Sequence, residues 1–269
     1  MLQLKSITRP AHKHFPDGFP FSVPVIQAID TLEFTHDVTF FVGENGSGKS
    51  TLLEAIACAA SLPTIGSDNV SSDPTLKDMR ALAKLLQWSW SKKLHRGFFM
   101  RSEDFFGFAR RISEIKADLL REMKSVEEEF SPRGQTAVGF AAMPYQRELA
   151  ALREQYGDGL DAQSHGESFF KLFRARMIPD GLYLMDEPEA PLSPTRQLTL
   201  ITLIHEMVKH GGQFIIATHS PILLAYPGAA IWSFDGGKVT PANYEDLEHV
   251  KVTREFLNNP EIYLRHLID

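Results

Sequence analysis

The sequence predicts an α/β fold with a mostly parallel sheet flanked by helices, and three observations carry that reading. First, an apolar run, Val38 to Val42, leads straight into the glycine-rich segment GENGSGKS, Gly43 to Ser50, and TLLEAIACAA follows with strong helix formers and no breaker. The local order is therefore strand, loop, helix. Second, the final third alternates a strand at Gly181–Met185, a helix at Pro194–Lys209, a strand at Gln213–Ala217 and short segments near Ala230–Phe234. Strands alternating with helices argue for parallel pairing through crossovers. Third, between these two halves lies a mostly helical region.

Taken in chain order, the first forty residues hold short apolar runs at Phe21–Ile26, Leu32–Phe34 and Val38–Val42, punctuated by Pro, Gly and Asp, and these read as strands. From Ser61 to Asp73, Ser, Asp, Pro and Gly mark a loop. Leu76–Leu94 and Phe105–Phe130 show helical spacing, the latter ending at the breakers Ser131, Pro132 and Gly134. We read residues 1–269 as a single domain and roughly 104–160 as a helical lobe inserted in its core. The tail, Tyr244–Asp269, reads as helical.

A chain of 269 residues can bury a sizeable core. Hydrophobic residues at 43% and charged residues at 23% exclude disordered and fibrous classes. The net charge of −6 argues against a basic surface overall, although Lys92, Lys93, Arg96, Arg110 and Arg111 form a local cluster that could track nucleic-acid phosphates. Cys58 stands alone among Ala55, Ile56, Ala57 and Ala59, which fits a small buried residue in a reducing compartment. The segment Phe214–Trp232 is interrupted by His219, Ser220, Pro221 and Pro227, so no membrane span is expected. The N-terminus lacks a secretory pattern, and the expected location is cytoplasmic.

Gly43, Glu44, Asn45, Gly46, Ser47, Gly48, Lys49 and Ser50 satisfy G-x-x-x-x-G-K-[ST] in the strand-to-helix context that the motif requires. Glycines let backbone amides close around phosphate oxygens, and the helix N-terminus adds the positive end of its dipole. Together with Thr51 these residues form the candidate nucleotide-binding set. Lys49 is expected to reach the β and γ phosphates, and the Ser50 hydroxyl to hold Mg²⁺. No guanine-reading N-K-x-D occurs, which favours ATP.

Downstream, LYLMDEPE places Asp186 and Glu187 at the carboxyl end of an apolar strand, where open α/β sheets bind ligands. Asp186 is the candidate metal ligand, and Glu187 the candidate general base for the attacking water. His219 ends the next apolar strand, FIIATHSP, and should emerge on the same sheet edge, within reach of a γ phosphate. Glu187, His219 and Lys49 are thus the candidate catalytic residues.

The ordered set GENGSGKS, SHGES, LYLMDEPE and ATHSP resembles the ABC-type ATPases, and most closely the stand-alone, non-transporter group that includes RecF and the SMC heads. The resemblance implies a P-loop NTPase core with antiparallel N-terminal strands. It also implies that Ser164 and the backbone near Gly166, within Gln163–Glu167, contact the γ phosphate held by a second subunit. His165 departs from that signature, and Ser193 stands where the family carries an aspartate after the acidic strand. The glutamine loop would fall at Phe98–Asp104, where Arg101, Ser102 or Glu103 could substitute. Adenine stacking would use Phe15, Phe19 or Phe21. The function expected is ATP binding and hydrolysis as a dimerising switch coupled to an unidentified partner. The alternatives are a transporter's nucleotide-binding subunit, or the ATPase of a DNA-maintenance or toxin/defence system.

Overall fold

The computed structural model describes residues 2–65, 70, 73–156, 170 and 173–268, with the backbone alone at 102–106, 108–111, 155, 156, 266 and 267. The elements run β1 (Leu4–Thr8), α1 (Pro24–Ala28), β2 (Thr31–Glu33), β3 (Val38–Val42), α2 (Lys49–Ala60), α3 (Lys77–Leu85), β4 (Gln87–Trp90) and β5 (Gly97–Met100). Then come α4 (Ser102–Phe130), α5 (Gln135–Tyr156), β6 (Leu182–Asp186), α6 (Pro194–Lys209), β7 (Gln213–Ala217), α7 (Pro221–Leu224), β8 (Ala230–Ser233), β9 (Thr240–Ala242), α8 (Glu248–Asn258) and α9 (Pro260–Ile268). The chain divides into two compact units. One comprises Met1–Thr64, Asp68–Ser102 and Ile178–Asp269; the other comprises Glu103–Met177 with Ile65–Ser67. The second unit is built on the long helices α4 and α5.

The first unit holds both sheets. Six strands lie in the order β5-β6-β7-β3-β8-β9, parallel throughout except for β9, which runs antiparallel to β8. β3 (VTFFV) and β7 (QFIIA) are buried along their whole length. That is why they read as largely apolar runs rather than alternating ones. Phe41, Leu52, Ile56, Leu184 and Ile215 join one core cluster, which binds α2 to the sheet.

A smaller antiparallel sheet, β2-β1-β4, carries the N-terminal strands. One side chain stitches it to the larger sheet. The buried Gln213 Oε1 accepts the amides of Gln3 and Leu4, each at 2.9 Å, and its Nε2 donates to the Leu4 carbonyl at 2.9 Å. The architecture is the one the sequence predicts: a mostly parallel sheet with helices, and antiparallel strands at the start.

Two elements differ from expectation. The apolar run at Phe21–Ile26 is not a strand; its second half opens α1, with Pro24 in the first turn and Val25 and Ile26 buried. The helix expected over Leu76–Leu94 stops at Leu85, and Gln87–Trp90 pairs with β1, Trp88 opposite Ile7. Alternating Trp-Ser-Trp favours a half-buried strand. Among the described residues no helix is long and apolar enough to cross a membrane.

Candidate functional site

The loop between β3 and α2 is shaped by its glycines. Gly48 sits at φ 101°, and a Cβ there would lie 2.5 Å from Val25 Cγ2 and 2.8 Å from Val23 Cγ1. Gly43 sits at φ 141°, with a notional Cβ 3.0 Å from Asp235 Oδ1. Both conformation and space therefore demand glycine at these two positions. Gly48 is also the N-cap of α2 and offers no side-chain acceptor to the first turn. The amides of that turn are left to an external anion.

Lys49, almost wholly buried, donates to the carbonyls of Gly43 at 2.6 Å and Glu44 at 2.9 Å. Burial lowers its pKa, opposed by the charges of Asp186, Glu187, Asp235 and Glu189. Among the described residues the ammonium thus has four acids in its surroundings and is bonded to two main-chain carbonyls.

Three strand ends meet beside this loop. Ala217 of β7 lies opposite both Phe41 of β3 and Asp186 of β6. Asp186 is hydrogen-bonded to Ser50, the second residue of α2, and burial pushes its carboxyl up to about 6. Among the described residues its Oδ1 is buried without a hydrogen-bond partner. Glu187 has a left-handed backbone, φ 49°, fixed by its amide donating to the Ala217 carbonyl at 2.8 Å. His219 follows β7, and its Nε2 is also buried without a hydrogen-bond partner among the described residues. The structure therefore brings Lys49, Ser50, Asp186, Glu187 and His219 to one sheet edge.

The Ser50 hydroxyl and the Asp186 carboxylate are hard oxygen donors, and an orphaned, desolvated carboxylate oxygen is what a divalent cation would satisfy. Among the described residues no cluster of three or more His, Cys, Asp or Glu could hold a metal by itself. The oxygen pair of Ser50 and Asp186 fits Mg²⁺, which takes one or two protein oxygens and completes its shell with phosphate and water.

Two residues that the sequence reading passed over belong to the site. Glu189, two positions past Glu187, accepts the His219 main-chain N–H at 2.8 Å and so ties the β6 turn to the β7 turn; burial raises its pKa. Asp235 accepts the Glu44 amide at 2.9 Å and the Ser233 hydroxyl at 2.8 Å, bracing the loop from the end of β8. Glu189 was visible in DEPE as a third acid; nothing local marks Asp235, which lies 191 residues from Glu44.

Other expectations resolve differently. Phe15 and Phe21 are buried and pack edge to face at 6.1 Å, so neither is a base platform; Phe19 is 64% exposed. A cavity of about 230 Å³ beside the loop is lined by Pro24, Asn45, Asp235, Gly236 and Gly237, with none of the three aromatics. Arg101 pairs with Asp73 at 3.0 Å and Glu54 at 3.7 Å. Ser164 and Gly166 lie outside the described residues, as do the side chains of Ser102, Glu103, Arg110 and Arg111. Lys92, Lys93 and Arg96 are exposed, with Lys93 Nζ 5.7 Å from the Trp90 ring centre. Cys58 is half-buried rather than buried, and its thiol is pushed up to about 12 by desolvation.

A glycine loop at a helix N-terminus, with a lysine, a hydroxyl and a buried strand-end carboxylate converging on it, defines a P-loop nucleotide hydrolase. Comparison with known proteins narrows the class. Residues 26–80 match a family model described as an AAA domain, and residues 169–225 match one described as an AAA domain, putative AbiEii toxin, Type IV TA system. The chain is similar to macrolide export ATP-binding/permease proteins of Marinobacter nauticus, at 27% identity over 82% of this chain and 31% of the relative, and of Escherichia coli, at 27% over 94% and 36%. It spans about a third of the length of those relatives. A nucleotide-free ATP-binding cassette from an ABC transporter aligns over 98% of this chain and 99% of that one, at 16% identity and a TM-score of 0.44. The site and these likenesses together support an ABC-type P-loop ATPase.

Proposed function

We propose that the chain works as a nucleotide-dependent dimerising switch: ATP binding closes two copies together, and hydrolysis releases them to act on a partner. One observation carries the catalytic half of this reading, the convergence of Lys49, Ser50, Asp186, Glu187 and His219 at neighbouring strand ends. Ser50 and Asp186 would hold Mg²⁺, which when bound neutralises charge building on the phosphates. Lys49 would leave its two carbonyl partners for the β and γ phosphate oxygens. Glu187 would accept a hydrogen bond from the attacking water, whose oxygen bonds to the γ phosphorus as the bond to the bridging β–γ oxygen breaks. His219 would donate from Nε2 to the γ phosphate, with its main chain held by Glu189. The dimer half rests on the family resemblance, in which Ser164 and Gly166 of one subunit meet the nucleotide of the other. Closure needs only that the paired state bind ATP more tightly than the open one.

The test is the Glu187→Gln variant. It should keep ATP binding, lose turnover by about a hundredfold or more, and become dimeric in light scattering with saturating Mg-ATP. Normal turnover would remove Glu187 as base, and a strictly monomeric variant would remove the switch.

A second reading is the ATP-binding arm of an exporter, favoured by the likeness to export ATP-binding/permease proteins. It requires a permease from outside these residues, and co-purification with a polytopic membrane protein would support it over the first. A role in a toxin–antitoxin system draws on the description of the model matched at residues 169–225. A growth defect on expression that Lys49→Ala abolishes would favour it.

A further inference from the structure

We propose that His249, in the first turn of α8, is a positioning residue for His219, so that α8 completes the ATPase site. This rests on the reading that His219 meets the γ phosphate.

The main chain around His219 is already determined. Its own N–H is taken by Glu189 Oε1 at 2.8 Å. The next amide, Ser220, donates to Thr218 Oγ1 at 3.0 Å, and Ser220 Oγ caps α7 by accepting the Leu223 amide at 3.2 Å. What the backbone leaves open is the direction of the imidazole, set by two side-chain torsions. The ring that lies against it is His249, with centroids 6.4 Å apart and planes at 65°, an edge-to-face contact.

His249 is itself held in place. Leu247 and Val250, on either side, are buried, and the Tyr244 hydroxyl donates to the Pro221 carbonyl at 3.1 Å. The segment entering α8 is thereby bonded to the residue two past His219. Burial first, then the neighbouring His219, lowers the His249 pKa, against an opposing pull from Asp235. A neutral ring can press against His219 without charge repulsion. Nε2 is buried and without a hydrogen-bond partner on both histidines among the described residues, so ring packing rather than a hydrogen bond at that atom fixes the pair. An edge-to-face neighbour blocks the alternative rotamers of His219 and leaves its Nε2 for the substrate.

The experiment is steady-state ATP hydrolysis by the full chain bearing His249→Ala, His249→Phe, His219→Ala and the double alanine variant. His249→Ala should lower kcat about three- to tenfold, the range an aromatic pair contact commands, with KM within about twofold of the parent. His249→Phe keeps the ring and should recover most of the lost kcat; because it preserves side-chain volume, it also separates loss of positioning from loss of fold. In the His219→Ala background, His249→Ala should have no further effect, since a residue acting only through His219 has nothing left to orient. Equal deficits in the Ala and Phe variants, additive losses in the double variant, or a raised KM with native kcat would each overturn the proposal. Loss of turnover in His219→Ala beside native turnover in His249→Ala would overturn it alone. Native turnover in His219→Ala would overturn the γ-phosphate reading along with it.

Discussion

Gly48 is required twice over, by its backbone and by its neighbours, and the two demands can be separated. Its φ of 101° is one that side-chain-bearing residues rarely adopt, and holding alanine there costs on the order of 1–3 kcal/mol. An added Cβ would also lie 2.5 Å from Val25 Cγ2, against an unstrained carbon–carbon separation of about 3.5–4.0 Å. Forcing a methyl into such a packed site costs about a further 1–3 kcal/mol. Gly48→Ala should therefore lose roughly 2–6 kcal/mol, or else shift the loop and weaken ATP binding instead. Val25→Ala deletes the nearest obstructing methyl and by itself costs about 1–2 kcal/mol as a truncated core residue. Combined, the two changes should be less harmful than their sum by about 1–2 kcal/mol, because the alanine at 48 then meets Val23 Cγ1 at 2.8 Å but no longer the closer methyl of Val25. Urea unfolding and ATP titration of the four proteins complete the cycle. Strict additivity in both measurements would refute the packing argument and leave only the backbone requirement.

Gln213→Leu would remove three hydrogen bonds to the buried start of β1; with two amides and a carbonyl left unsatisfied at about 1–3 kcal/mol each, we expect a loss of about 3–9 kcal/mol in urea unfolding. A loss below about 1 kcal/mol would mean that water replaces the glutamine. Cys58 should react with alkylating reagents about a thousandfold more slowly at pH 8 than a free thiol, because desolvation pushes its pKa up to about 12 from an ordinary 8.5 or so. The raised pKa also fixes a sign. The folded state keeps the thiol proton after the unfolded state has lost it, so this contribution to stability is whole below about pH 8.5 and declines as pH climbs toward 12. Rapid labelling at neutral pH without unfolding would contradict both statements.

What could be read in the sequence was what is local. The strand, loop and helix from Val38 to Ala60 follow from a contiguous apolar run, fixed glycine spacing and a tract of helix formers, and α6 and β7 begin and end at the residues the pattern predicts. Asp186, Glu187 and His219 were legible as sheet-edge residues because Asp186 ends β6, Glu187 follows it and His219 lies two residues past β7, and parallel strands in register bring such ends together. What was illegible depends on distant partners. β4 continues the apolar spacing of α3, and only pairing with β1, about eighty residues earlier, turns Gln87–Trp90 into a strand. Val25 and Ile26 are apolar enough for either element, and Pro24 in the first turn of α1 settled a choice that hydrophobicity had left open. Aromatic residues upstream of the loop looked like a platform, yet Phe15 and Phe21 satisfy each other in the core. Asp235 reaches the phosphate loop across nearly the whole sequence, a distance that no spacing rule spans.

Glu187 keeps a left-handed backbone at φ 49° although it carries a Cβ. Such a conformation costs an ordinary residue about 1–2 kcal/mol, whereas glycine adopts it freely. A laboratory selection for heat resistance alone would therefore reward replacing the very acid proposed to steer water, while a selection for turnover would reward keeping it. The two pressures act on position 187 with opposite signs. The residue recovered there after many rounds would report which pressure had been applied.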